Sequence, residues 1–159
     1  MKLRIVAVGH RTPEWINTGF AEYARRLPRE MPLELREIKP ADRSANTSAA
    51  ALRQLLNVEV SRIRAALFVG GLTVVLDERG KAMTTLQLAR LVERWRQDGR
   101  DVTFVIGGAD GIADELKQDA DLVLSLSALT LPHALCRVLL AEQLYRAASV
   151  LAGHPYHRQ

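Results

Sequence analysis

Val102-Thr103-Phe104-Val105-Ile106 runs without interruption into Gly107-Gly108-Ala109-Asp110-Gly111, and these ten residues decide the fold. A short apolar run rich in β-branched and aromatic residues reads as a strand buried on both faces. The glycines end it in a tight turn, and a short helix over about Ile112–Gln118 follows. The same unit repeats outward along the chain. Upstream, Lys2–Gly9 is a strand, and Pro13 opens a helix carrying Trp15, Phe20, Tyr23 and Leu27 that Pro28 closes. A weaker strand covers Leu33–Ile38, with a polar loop holding Lys39 and Arg43 after it. Ala49–Ala66 follows as a helix with Leu52, Leu55, Leu56, Val60 and Ile63 on one face.

Gly70-Gly71 breaks the chain before a strand over Leu72–Leu76, which ends at Asp77-Glu78-Arg79-Gly80. Thr84 or Thr85 caps the next helix, and Gly99 ends it. Downstream of the opening stretch lie a strand over Leu122–Leu126 and a long last helix entered at Pro132. Strands alternating with helices predict an α/β fold: a mostly parallel sheet with helices on both faces, as one domain over residues 1–159. In such a sheet, ligands bind beyond the carboxyl ends of the strands. That rule marks three loops, Asp77–Gly80, Gly107–Gly111 and Ser127–Pro132.

Composition bounds the function classes. The chain has 159 residues, 48% of them apolar and 25% charged, as in an ordinary globular protein. The lone cysteine, Cys136, excludes an intramolecular disulfide and fits a reducing, cytoplasmic setting; it is read as a small packed apolar residue and not a nucleophile. No signal peptide or membrane span is evident, since the longest uncharged stretch, Leu122–Cys136, is too short and is broken by polar residues and Pro132. The net charge is +4, and residues 1–80 carry 13 Lys and Arg against 9 Asp and Glu, so the excess lies in the first half. A basic surplus suits a phosphate-rich partner and equally a solvated face; Arg4, Arg25, Arg26 and Arg29 are the candidate phosphate contacts. No metal-ligand spacing accompanies the four histidines, and no nucleophile elbow occurs.

Each marked loop has a bland reading as well. Gly107-Gly108-x-x-Gly111 lets main chain approach a ligand, or simply makes a turn. Its spacing does not match a dinucleotide motif, and Asp101, Asp110, Asp114 and Glu115 nearby disfavour a phosphate. Ser127-Ala128-Leu129-Thr130-Leu131-Pro132 carries main-chain polar groups between aliphatic walls, which suits adenine as well as a buried turn. At the end of the chain, Tyr156-His157-Arg158 combines a stacking ring, a titrating imidazole and a bidentate phosphate binder.

Taken together, the segments resemble one family. The resemblance rests on V-A-V-G at the first strand, L-D-x-x-G-K at 76–81, D-G-R-D-V at 98–102 and I-G-G-x-x-G at 106–111. S-L-S-A-L-T-L-P-H at 125–133, R-V-L-x-A-E-Q-L-Y-R-A at 137–147 and the ending H-P-Y-H-R complete it. This pattern is similar to the RlmH family, pseudouridine N3-methyltransferases of the large ribosomal subunit and minimal members of the SPOUT (trefoil-knot) superfamily.

The resemblance implies a three-layer α/β/α domain with a deep C-terminal trefoil knot, a homodimer, and S-adenosyl-L-methionine as cofactor. The substrate it implies is a pseudouridine of 23S rRNA in the ribosome. Carried over by position, the cofactor contacts are Leu76, Gly107, Gly108, Ser127, Ala128, Leu129, Thr130, Leu131 and Pro132. The catalytic candidates are His133 and His157 as general base, Arg146 and Arg158 on phosphate or developing oxyanion, and Tyr156 stacking on the base. The competing expectation is a non-catalytic RNA-binding or ribosome-associated protein that keeps the fold.

Overall fold

Alternate residues of a strand face opposite ways, and this two-residue period builds the layers. The computed structural model describes residues 1–42 and 48–158; residues 43–47, with Arg43, and residue 159 lie outside it, as do the side chains of His157 and Arg158. Five strands form one parallel sheet in the order β2-β1-β4-β3-β5: β1 (Leu3–Val8), β2 (Leu33–Ile38), β3 (Leu72–Ala82), β4 (Val102–Ile106) and β5 (Leu122–Ser125).

Leu3, Ile5 and Ala7 of β1 and Val102, Phe104 and Ile106 of β4 face one side. There they meet α1 (Glu14–Arg26), α3 (Thr85–Gln97) and α5 (His133–Leu151) through Phe20, Val92, Trp95, Leu140 and Leu144. Val6, Val8, Val75 and Val105 face the other side, covered by Val60 and Ile63 of α2 (Ala49–Ala66) and Leu116 of α4 (Asp114–Asp119). The three layers that the resemblance implied are present.

Thr84 caps α3, its hydroxyl accepting from the Gln87 amide while the Gln87 side chain accepts from the Thr84 amide. One boundary differs from the sequence expectation. The third strand does not end at Leu76 but bulges over Asp77–Gly80 and pairs again, so that Leu124 of β5 faces both Leu76 and Lys81. Alternation alone missed the return, because Lys81 and Ala82 are drawn into the ladder by β5 and not by their own pattern. Gly80 is obligatory at this crossing: a Cβ there would stand 2.7–2.8 Å from the backbone of Val123 and Leu124.

The polar C-terminal stretch is also more ordered than a frayed end. Pro155–Arg158 form a short 3-10 turn that packs on α5.

Candidate active site

The three loops marked by the sheet rule converge on one cavity of about 460 Å³ at the carboxyl ends of β3, β4 and β5, within the range of small-ligand sites. Of the positions carried over as cofactor contacts, Leu76, Gly107, Gly108, Ser127, Leu129, Thr130 and Leu131 line it. Ala128 and Pro132 flank it in the chain without lining it. Ile106, Ile112, Leu124 and Leu126 add aliphatic wall. Gly107 is required by the turn itself, since a Cβ would meet the Gly111 carbonyl oxygen and Ile112 Cγ1 at 2.6 Å.

The loop after β5 is tied inward by its own serines. The Ser125 hydroxyl donates to the Ser127 carbonyl at 3.0 Å, and Ser127 Oγ accepts the Leu129 amide at 2.9 Å. Among the described residues, the amides of Thr130 and Leu131 have no protein partner, so main-chain donors remain open at the cavity. Thr130 Oγ1 donates to Glu78 Oε2 at 3.2 Å, joining this loop to the β3 bulge.

Charge in the cavity differs from the sequence expectation. Asp101 sits at the far end of β4, accepting from the Lys2 amide, and Glu115 pairs with Arg64. The groups that line the site are Asp77, Glu78, Arg79 and Lys117. Lys117 binds Asp77 at 2.6 Å, and this hydrogen bond holds the Asp77 carboxyl below the usual carboxylate range. A cation already paired in this way is a poor phosphate clamp. Cys136 lines the wall and is half-buried; burial pushes its thiol up, away from the reactive thiolate.

The catalytic candidates do not assemble in one chain. His133, the first residue of α5, is exposed and lines the cavity. Arg146 and Tyr156 lie toward the other end of the same helix, whose 19 residues span about 28 Å. There Glu142 Oε1 accepts from Arg146 Nε at 2.8 Å and from the Tyr156 hydroxyl at 3.2 Å, and Arg146 also donates to the Tyr156 carbonyl. The Tyr156 ring lies against Tyr145 at 4.6 Å and under the Arg146 guanidinium at 4.7 Å. Burial, a hydrogen bond with Tyr23 and the Glu142 charge push the Tyr156 phenol up to about 12. His157 and Arg158 share the 3-10 turn with Tyr156 by backbone position.

Two further residues escaped the sequence reading. Arg137, one turn after His133, is fully buried; it binds Glu37 at 2.6 Å and the Gly9 carbonyl at 3.0 Å, and its Nε has no partner. Glu142 organises the tail. The signal for Arg137 was a lone charge inside the apolar run Ala134–Ala141.

The phosphate contacts proposed from charge are mostly engaged: Arg4 binds Glu34 and stacks on Phe68 at 3.8 Å, and Arg25 and Arg26 pair with Glu22.

The cavity is thus walled by aliphatic side chains and main-chain turns, with Lys117 paired to Asp77. A family model described as "Predicted SPOUT methyltransferase" matches residues 1–157. This chain belongs to that family. Within it, the chain is 57% identical over 159 residues to "Ribosomal RNA large subunit methyltransferase H" of Dechloromonas aromatica, covering 100% of this chain and 99% of that protein. The protein of the same description from Paraburkholderia phymatum is also 57% identical, over 99% of both chains.

These matches place the chain in the RlmH family. The SPOUT fold also recurs in solved structures of low identity. A "Probable Methyltransferase" from Bordetella pertussis Tohama I superposes with a TM-score of 0.59 at 20% identity, over 92% of this chain and 93% of the other. A methylase family protein from Haemophilus influenzae gives 0.59 at 14% identity, over 97% and 69%.

Proposed function

We propose that the chain, as one catalytic domain over residues 1–159, is a ribosomal RNA methyltransferase that methylates N3 of a pseudouridine in 23S rRNA on the ribosome. In this reading it works in the cytoplasm as a homodimer and carries the trefoil threading of its family. The supporting observation is the cavity that the β3, β4 and β5 loops enclose. Its residues fit S-adenosyl-L-methionine: aliphatic walls for an adenine face, open main-chain amides for its edge, and the carboxylates of Asp77 and Glu78 for polar or cationic parts. That cofactor, when bound, supplies an activated methyl group. Among the described residues no helix is long and apolar enough to cross a membrane, and no cluster could hold a metal.

The chain's own residues supply position and proton transfer. Methylation at N3 of a neutral base requires removal of a proton, and His133, on the cavity wall, is the candidate within this chain. The glycine turn and the Ser127–Leu131 loop exclude water from the donor side and fix its orientation. Arg146 lies about 20 Å along α5 from His133 and Tyr156 packs beside it, so they reach a cavity when a second copy lies antiparallel along α5. Each tail then serves the partner's pocket, where Arg146 and Arg158 hold RNA phosphate or developing oxyanion charge and Tyr156 stacks on the base.

Ribosomes from cells lacking the protein, incubated with purified protein and labelled methyl donor, test the proposal. Mass spectrometry is expected to find one new methyl on one pseudouridine of 23S rRNA. Label absent from rRNA, or on a different nucleotide, would reject it.

A further inference from the structure

The cavity described above has a neighbour at the carboxyl edge of the sheet. A second hollow of about 370 Å³ shares Gly108, Ala109 and His133 with the first. Its remaining wall is Val8 and His10 after β1, and Lys39, Pro40, Ala41 and Asp42 after β2. The topology explains both hollows beside β4. The chain leaves β4 toward the face covered by α2 and α4, whereas it leaves β1 and β3 toward the face covered by α1, α3 and α5. Neighbouring strands whose connections part to opposite faces open a crevice. One crevice therefore lies on each side of the Gly107–Gly111 turn, and the two meet at Gly108, Ala109 and His133.

The walls of the second hollow are held with unusual care. Gly9 has φ +126 and Arg11 has φ +63, a left-handed conformation that an arginine seldom adopts. Buried Arg137 bonds the Gly9 carbonyl and Glu37 together, tying the ends of β1 and β2 to the head of α5. A Cβ on Gly9 would stand 3.8 Å from His133 Nε2, so this loop and that imidazole are in near contact.

We propose that the second hollow is the acceptor-base subsite, which takes one face of a flat uracil-type ring against Val8 and Pro40 with its imide edge toward the junction of the two hollows at Gly108 and His133. The proposal rests on the methyltransferase reading and deepens it. In-line transfer needs the methyl carbon and N3 in direct contact with nothing between them, so the two pockets must adjoin, and these two have Gly108, Ala109 and His133 in common. An imide edge offers one N–H between two carbonyls; neutral imidazoles at His10 and His133 both donate and accept, and Lys39 donates. Lys39 is exposed and only loosely paired, 3.8 Å from Asp42, which leaves it able to meet a carbonyl or a flanking phosphate. In the reaction the N3–H bond breaks and the proton passes to an imidazole. The N3 electron pair forms the new bond to the methyl carbon while the carbon–sulfur pair stays on sulfur, leaving a neutral thioether. Arg137 is a positioning residue here, acting through Gly9 and His133.

Lys39→Ala and His10→Ala remove exposed side chains, so both variants keep the fold. Each is compared with the unaltered protein by calorimetry with S-adenosyl-L-methionine and by single-turnover methylation of ribosomes. Donor affinity is expected to stay within about twofold, while transfer falls on the order of tenfold to a hundredfold. In parallel, pseudouridine 5′-monophosphate is titrated into protein saturated with S-adenosylhomocysteine, and the imidazole signals of His10 and His133 are expected to shift. Normal donor binding with unchanged transfer in both variants overturns the subsite and leaves the methyltransferase reading standing. If the unaltered protein binds no donor, that reading fails and the subsite falls with it.

Discussion

The two ends of α5 are built on different principles. At its head, the cavity is made of main chain: glycine turns, a serine-tied loop and aliphatic walls, with His133 the one imidazole on its rim among the described residues. At its other end, side chains do the joining: Glu142, Arg146, Tyr145 and Tyr156 form a bonded and stacked cluster that fastens the last turn of the chain. A main-chain site tolerates loss of side-chain atoms but not their addition, because peptide groups close against each other. A side-chain site behaves the opposite way. The contrast suits a division of labour in which the head holds a small molecule and the tail meets a charged macromolecule.

The sharpest way to break the comparison is to add one methyl group at the head. Gly107→Ala forces a contact of 2.6 Å with the Gly111 carbonyl and is expected to cost about 3 kcal/mol, lowering Tm and abolishing donor binding together. A variant with unchanged Tm and full donor affinity would show that the turn is looser than drawn.

Next in size, Arg146→Ala removes the guanidinium from the Tyr156 ring and from Glu142. Calorimetry is expected to find donor affinity unaltered, while methyl transfer to ribosomes falls about a hundredfold. An equal loss of donor binding would mean that the two ends are not separable.

A smaller effect is expected within the donor wall. Leu131→Ala shortens an aliphatic surface beside open amides and is expected to weaken donor binding about tenfold. The rate at saturating donor should stay close to that of the unaltered protein, and a rate loss without an affinity loss would count against the assignment.

The mildest test is alkaline titration of the tail. The Tyr156 phenol is raised to about 12 from its ordinary 10.0, so the folded state holds that proton more tightly than the unfolded chain. The stabilisation is complete below pH 10 and is lost as the pH rises toward 12. Absorbance of phenolate at alkaline pH is expected to show one late step that Tyr156→Phe removes. Near neutrality the phenol therefore stays protonated and donates to Glu142, a role compatible with stacking and not with acting as a base.

Much of this architecture was legible beforehand. Continuous apolar runs at Leu3–Val8 and Val102–Ile106 and helical stripes such as Leu88, Leu91, Val92 and Trp95 gave the layers, because burial leaves its mark locally. The rule for ligands at strand ends marked the three loops that line the cavity. The second half of β3 was hidden, since Lys81 and Ala82 join the sheet only because β5 lies beside them. Arg137 was hidden for a related reason: its partners, Glu37 and the Gly9 carbonyl, are distant in sequence.

Sequence by itself determined which segments are strands, which are helices and which turns carry main chain to the sheet edge, since these follow from short-range periodicity and the special conformations of glycine and proline. Only the tertiary structure decided that His133 stands at a cavity while Tyr156 folds back onto Arg146 about 20 Å along α5, and that a second hollow adjoins the first. Those facts depend on where strand order and helix direction send each end of α5, and long-range geometry of that kind leaves no periodic trace in a chain.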